Sequence, residues 1–405
     1  MSGRSARAGD AAVTADREGL LELCARLVAC DSAQPKGDTR AVIDILEGVL
    51  AEAGIVAERV ANDVTKPNLV AIVDGGGPGP HIGLNGHADT LDAGDPKAWS
   101  APPYSATRRD GRMYGLGIGN MKAGVAVLTF AFLILAAERR NWGGRLSLTI
   151  VADEVVFGPD GAAFLLRTRP DLVGDMLINA EGAGNLGLAV AEKGLLWLKL
   201  EATAAPLQGM LARRGSTAAA RLARLVSRLD DWNDERIAPP AGLTELAGDE
   251  GPRLTVNVGR IMGGSFISQV ATSVVAEVDF RIPPGTTAAA VEDRVRGEAA
   301  RIGGVAVTRI KGWDPSFTAP SHRLVAAMRQ ASAEVRGVAA ELVCRLPASD
   351  AQRWRAFGVP SVCYGPQPLL ASGIDDYVIE DDVVDCLDVT VAALRRLLRP
   401  NGGGP

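Results

Sequence analysis

The stretch HIGLNGHADT, residues 81–90, joins a short apolar run, typical of a buried strand, to a run of polar residues. In a sheet of parallel strands, ligands and catalytic groups gather at the carboxyl ends of the strands. The polar residues of this stretch follow such an end. The stretch therefore predicts an α/β protein whose functional site begins at His87 and Asp89.

Helical and strand patterns alternate on both sides of this stretch. Helix-period apolar positions predict helices at 18–29, 39–53, 121–138 and 160–168, and strand-like runs are NLVAIVDG, LSLTIVAD and MLINAE. This alternation predicts a mostly parallel sheet that is covered by helices on both faces. Because ADE and NAE also follow strands, we expect Glu154 and Glu181 at the same edge as His87.

The pattern changes near Lys193. From there to residue 309 the sequence predicts four strands and two helices, an order typical of a compact sheet with two helices on one face. After residue 310 the α/β pattern resumes, with helices predicted at 321–335 and 383–398. We therefore expect one α/β domain made of residues 1–192 and 310–405, with an α+β domain inserted at 193–309.

Composition limits the classes of partner. The formal net charge of −5 and the scattered Lys and Arg argue against nucleic acid. No window of about 18 apolar residues lacks a charge, and the N-terminus is polar, so we expect a cytoplasmic protein that binds no membrane. The five cysteines form no CxxC pair and are expected to be reduced and mostly buried. With three histidines in 405 residues, a three-histidine metal site cannot be built.

Several motifs together carry a family resemblance. They are GHADT at 86–90, DGRMYGLGIGNMKAG at 110–124, ADE at 152–154, NAEG at 179–182, KGLLW at 193–197, VDFRIPP at 278–284 and VPSVCYGP at 359–366. In this order they resemble the superfamily of dizinc peptidases and deacylases, which includes aminoacylase, carboxypeptidase G, acetylornithine deacetylase and succinyl-diaminopimelate desuccinylase. The resemblance implies that the inserted domain is a lid that also forms a homodimer.

The resemblance implies roles for four residues that match the family pattern. His87 matches the first metal ligand, and Asp89 matches the carboxylate that orients it through the other imidazole nitrogen. Glu154 matches the general base beside the metals. Glu181 matches the carboxylate ligand of the metal on the histidine side.

Other positions of the implied metal site are replaced. Asn120 stands where the family has a bridging Asp, Val155 where it has a Glu ligand, and Ser372 where it has the last His. A neutral amide and a valine cannot supply the anionic oxygens that two cations need. We therefore expect no resident metal, or at most one weakly bound zinc on His87 and Glu181.

The remaining polar positions are candidates for binding substrate. Gln208 stands where the resemblance implies a lid histidine, and Gln208 and Asn120 can donate hydrogen bonds to a carbonyl. Arg281 could clamp a carboxylate, or form an ion pair within the lid. Glu181 could bind a substrate ammonium, or be an exposed loop residue without a functional role. Ser372 belongs to the same group.

Two classes of function stay open. In the first, Glu154, with His87 and Asp89, performs metal-independent acid–base chemistry on a small amino-acid-derived amide or carboxylate, such as cyclisation, isomerisation, elimination or acyl transfer. A variant is residual amide hydrolysis with one metal. In the second class, the protein is a non-catalytic relative that binds a ligand or partner. The Ala-, Arg- and Gly-rich composition fits a high-GC bacterium and specialised metabolism.

Overall fold

The computed structural model describes residues 16–244, 246–368 and 373–399. These residues form two compact units. Unit 1 runs to Leu186 and also contains 327–340 and the residues from Tyr364 onwards, and unit 2 contains Gly187–Ala326 and Glu341–Cys363. The domain bounds derived from the sequence remain a prediction.

The strands of the two units follow one another along the chain. They are β1 (Ala57–Val60), β2 (Asn68–Asp74), β3 (His81–His87), β4 (Thr107–Arg109), β5 (Arg112–Tyr114), β6 (Arg145–Val151), β7 (Met176–Asn179), β8 (Leu188–Glu192), β9 (Gly194–Thr203), β10 (Thr255–Gly263), β11 (Ser273–Ile282), β12 (Val305–Trp313), β13 (Ser316–Phe317), β14 (Leu342–Arg345), β15 (Ser361–Cys363) and β16 (Tyr377–Ile379).

The helices alternate with these strands. They are α1 (Arg17–Val28), α2 (Arg40–Glu52), α3 (Ala123–Ala137), α4 (Ala162–Thr168), α5 (Ala218–Asp230), α6 (Ala288–Ile302), α7 (Arg323–Arg336), α8 (Ala351–Arg355) and α9 (Glu380–Leu397). The helices and strands predicted from apolar periodicity are confirmed, with ends that differ by a few residues.

Unit 1 is built on a sheet with the strand order β1-β2-β6-β3-β7. The central strand β3 is parallel to both β6 and β7. The β6–β2 and β2–β1 pairs are antiparallel. The carboxyl ends of β3, β6 and β7 therefore lie at one edge, as the polar residues after each strand predicted. The mixed α/β class is confirmed.

Helix α3 forms the centre of the unit 1 core. Its sequence is apolar on all sides, and it packs on β3 and β6 and against α1 and α9. The stretch Ile118–Ala137 is long and apolar enough to cross a membrane, but 78% of it is buried inside the structure. It also contains the buried Lys122. We interpret α3 as a core helix.

Unit 2 contains an antiparallel sheet with the order β10-β11-β9-β12, as the α+β pattern predicted. Alternate residues of β11, from Val274 to Ile282, are buried in a core shared with α5 and α6. Both helices begin at a threonine cap. Thr217 and Thr287 each accept a hydrogen bond from the backbone N–H three residues later, at 3.1 Å.

Candidate functional site

Three strand ends bring His87, Glu154 and Glu181 together. Nε2 of His87 lies 3.6 Å from Oε2 of Glu154 and 3.8 Å from Oε1 of Glu181. One donor atom from each of the three residues lies within 4.8 Å of the others, and all three side chains are buried. The contact between these residues, which are distant in sequence, follows from the parallel arrangement of β6, β3 and β7.

The imidazole of His87 is held on both nitrogens. Nδ1 lies 2.9 Å from the backbone oxygen of Asp89 and 3.6 Å from its carboxylate. Nε2 lies 3.3 Å from Oδ1 of Asn120. A histidine whose Nδ1 is held by a carbonyl presents Nε2 to a ligand in a fixed orientation. Both the backbone oxygen and the carboxylate of Asp89 lie near Nδ1, and the backbone oxygen is the closer of the two.

The carboxylate of Asp89 contacts two other chain segments. It accepts hydrogen bonds from the backbone N–H groups of Glu154 and Val155, each at 3.1 Å, and from the Gln34 side chain at 3.0 Å. Since Asp89 is fully buried, these bonds supply the polar partners that a buried carboxylate needs. Asp89 therefore fixes the turn that carries Glu154 as well as the histidine.

Glu181 is positioned by a buried side-chain amide and by close backbone packing. Its N–H donates to Oδ1 of Asn179 at 2.8 Å. A Cβ added at Gly124 or Gly365 would lie 2.4 Å or 1.9 Å from the carbonyl oxygen of Ala180. Only glycine permits such a close approach, so Gly124 and Gly365 pack directly against the backbone of Ala180, just before Glu181.

The charges of the cluster act on the pKa of the histidine. Burial alone would lower the pKa of His87, but the negative charge of Glu154 and the nearby carboxylates of Asp89 and Glu181 raise it well above its usual value. Burial would raise the pKa of Asp89, but its contacts with His87 lower it. Three carboxylates around one imidazole therefore create a site that favours positive charge.

The donor set of this cluster fits one metal ion. Catalytic zinc sites keep about three protein ligands and one open position, and one histidine with two carboxylates supplies three. The expectation of no resident metal is therefore not confirmed, and Glu154 joins the two candidate ligands named from the sequence. Among the residues that the structure describes, this is the one group of three or more such donors, and neither Val155 nor Asn120 offers an anionic oxygen beside it.

The other predicted site residues are distributed over both units. Asn120 lies beside His87. Gln208 and Arg281 belong to unit 2, where Gln208 is exposed and forms a β-bridge with Gln269. Arg281 donates to Asp279 at 3.0 Å, which is the ion pair that the sequence left open as an alternative. Ser372 lies outside the described residues.

The residues that support the cluster were not predictable from motifs. Gln34 lies far from any motif, and no sequence signal pointed to its bond with Asp89. Asn179 belongs to the NAEG motif, and a polar residue at the end of a buried strand is a signal for a structural hydrogen bond. Its side chain also donates to Oδ1 of Asn85 at 2.8 Å, which links β7 to β3.

Comparisons with known proteins agree with the motifs. The profile of peptidase family M20/M25/M40 matches residues 83–396. A succinyl-diaminopimelate desuccinylase from Paracidovorax citrulli is 28% identical over 400 residues, which cover 93% of this chain and 97% of that protein. One from Zymomonas mobilis is 32% identical over 228 residues, or 52% of this chain and 56% of that protein.

Solved structures share the fold at low sequence identity. The M20 family metallo-carboxypeptidase Sso-CP2 from Sulfolobus solfataricus has a TM-score of 0.74 at 17% identity, with 94% of this chain and 98% of that chain covered. Human carnosine dipeptidase 1 has a TM-score of 0.75 at 14% identity, with 95% and 97% covered. The chain belongs to peptidase family M20/M25/M40.

Proposed function

We propose that this protein hydrolyses the amide bond of a small acylated amino acid at a site that holds one divalent metal ion. The observation that carries the proposal is the convergence of His87, Glu154 and Glu181. The substrate class is taken from the desuccinylases, whose name describes removal of a succinyl group from diaminopimelate. Membership of a hydrolytic family supports an enzyme over a binding protein.

Each residue of the cluster would have its own role in such a reaction. A divalent cation held by His87, Glu154 and Glu181 would polarise the substrate carbonyl and help a water molecule to ionise. Asn120, beside His87, offers an amide N–H to the carbonyl oxygen as it gains negative charge. Asp89 keeps both His87 and Glu154 in place, so the site is ordered before substrate arrives.

Metal-independent acid–base chemistry is the second candidate function. It is favoured by the position of Glu154 beside His87, at 3.6 Å, since a carboxylate and an imidazole are side chains that can each transfer a proton to or from a bound substrate. In that case Glu154 takes a proton from the substrate and returns it at another position. The two candidates differ in their need for a metal, which experiment can decide directly.

Titration of the metal-free protein with Co²⁺ should saturate at one ion per chain. One ion is expected because the described residues supply one set of three donors, and the positions of Asn120 and Val155 lack anionic oxygens. Absorbance in the visible range and elemental analysis measure the stoichiometry. Two tightly bound ions would contradict the one-metal site, and full activity after chelation would favour the metal-independent candidate.

We also propose that the protein is a homodimer formed through unit 2. Strand β10 is at one edge of the four-stranded sheet. Near its end, Ile261 and Met262 are 60% and 43% exposed, and Ile267 beyond it is 97% exposed. An edge strand with exposed apolar side chains is a template for pairing with another chain, and a second copy would cover it.

Sedimentation velocity tests the dimer. The Ile261→Asp change places a charge on the β10 edge and should convert the dimer to a monomer, because an unpaired charge in an apolar interface is costly. Ile310→Asp, on the opposite edge strand β12, is the matched control because Ile310 is 51% exposed. A parent protein that is monomeric at all concentrations, or equal effects of the two changes, would rule out the β10 interface.

A further inference from the structure

Lys66 forms partly buried ion pairs with Asp153 and Asp160, and Asp153 directly precedes Glu154. Its Nζ lies 2.8 Å from Oδ1 of Asp153 and 4.0 Å from Oδ2 of Asp160. The Asp153 side chain is 1% exposed and that of Lys66 is 17% exposed. Asn62 donates to the other oxygen of Asp160 at 2.8 Å. Solvent therefore screens these charges much less than it screens a surface pair.

Asp153 has a backbone conformation that L-residues rarely adopt. Its φ is +59°, in the left-handed region, at the residue just before Glu154. The Asp153 side chain is held by Lys66 and by the N–H of Asp160 at 3.3 Å, and its carbonyl accepts from Gly158 at 2.9 Å. A non-glycine residue stays in this region only where its surroundings over-determine it.

This conformation sets the direction in which the chain leaves β6. The next residue, Glu154, donates its N–H to Asp89 and directs its carboxylate to His87. We propose that Lys66 is a positioning residue, which acts through Asp153 to hold the turn that aims Glu154 at His87. The consequence for metal binding rests on the proposed function, whereas the consequence for the Glu154–His87 contact does not.

The test replaces Lys66 with methionine, which keeps the length of the side chain but removes its charge. The protein has only three histidines, so ¹⁵N-histidine labelling gives a separate signal for His87. In metal-free Lys66→Met, the His87 signals should move toward those of Glu154→Gln, in which the carboxylate is neutral. In the metal-loaded protein, Co²⁺ affinity should fall by about 10–100-fold, as is typical when support for a ligand is lost.

Two further variants separate positioning from a general loss of structure. Arg145→Met breaks an ion pair of 2.7 Å with Asp74 at the opposite end of β6, and it should leave the His87 signals and Co²⁺ affinity unchanged. Adding Asp153→Gly to Lys66→Met should restore both properties in part, because glycine adopts positive φ without strain. Circular dichroism checks that each variant is folded.

The outcomes are distinct for the two proposals. If Lys66→Met leaves the His87 signals of the parent in place, the positioning role is wrong. If those signals move but the added Asp153→Gly change restores neither the His87 signals nor the Co²⁺ affinity, Lys66 does not act through the Asp153 backbone. If the parent binds no Co²⁺, the proposed one-metal function fails, and the histidine spectra alone then decide whether Lys66 positions Glu154.

Discussion

Replacing Glu154 with glutamine should lower turnover of an acylated amino acid by about 10²–10⁴-fold. Glutamine keeps the size of the side chain but removes both its charge and its ability to take a proton. Release of free amine from a panel of N-succinyl amino acids measures the effect. Glu52→Gln, on an exposed residue at the end of α2, is the matched control and should be as active as the parent.

Co²⁺ affinity of the same variant assigns the role of Glu154. A fall in affinity together with turnover would identify Glu154 as a ligand, as the one-metal site requires. Unchanged affinity with reduced turnover would identify it as a proton-transfer group, and only full activity after chelation would then favour the second candidate. A variant with parental turnover would exclude both roles.

Replacing His87 with asparagine should have the largest effect on metal binding. The change leaves two carboxylate donors, so we expect Co²⁺ affinity to fall by more than the roughly 100-fold that loss of an outer-shell partner can cost. In the metal-free protein it also removes the imidazole that lies against the buried carboxylates of Asp89, Glu154 and Glu181. Breaking a buried pair typically destabilises by about 3–5 kcal/mol, and the variant should show this in urea unfolding.

His322→Asn is the control for this variant. His322 is only partly buried and belongs to unit 2, where its Nδ1 accepts from the Leu324 N–H at 3.2 Å. We expect parental Co²⁺ affinity and stability from it. If His87→Asn retains parental affinity, His87 is not a ligand, and the cluster of three donors does not hold the metal.

Sequence periodicity predicted the sheet and most helices, because burial imposes a regular apolar pattern on strands and helices alike. The edge that carries His87, Glu154 and Glu181 was also predictable, since the ends of parallel strands meet. The short strands β4, β5 and β16 were not predicted. Each has three residues, which is too short for an apolar period to be visible.

The supporting contacts could not be predicted from local pattern. Lys66 and Asp153 are 87 residues apart, and Gln34 and Asp89 are 55 apart, so only the folded chain brings them together. The sequence also did not indicate that Glu154 could be part of a donor cluster. Its position after Asp153 predicted a general base alone, whereas the structure places its carboxylate within 4.8 Å of donor atoms of both His87 and Glu181.

The bonds of Asp89 have a consequence for the order of assembly during folding. Its carboxylate joins the end of β3 to the turn after β6 and to Gln34, so its partners come from chain segments that are far apart in sequence. Loops of that length close late, after local helices and hairpins have formed. Binding of Co²⁺ during refolding should therefore lag behind the recovery of secondary structure. The rate of Co²⁺ binding would then report when these distant segments come together.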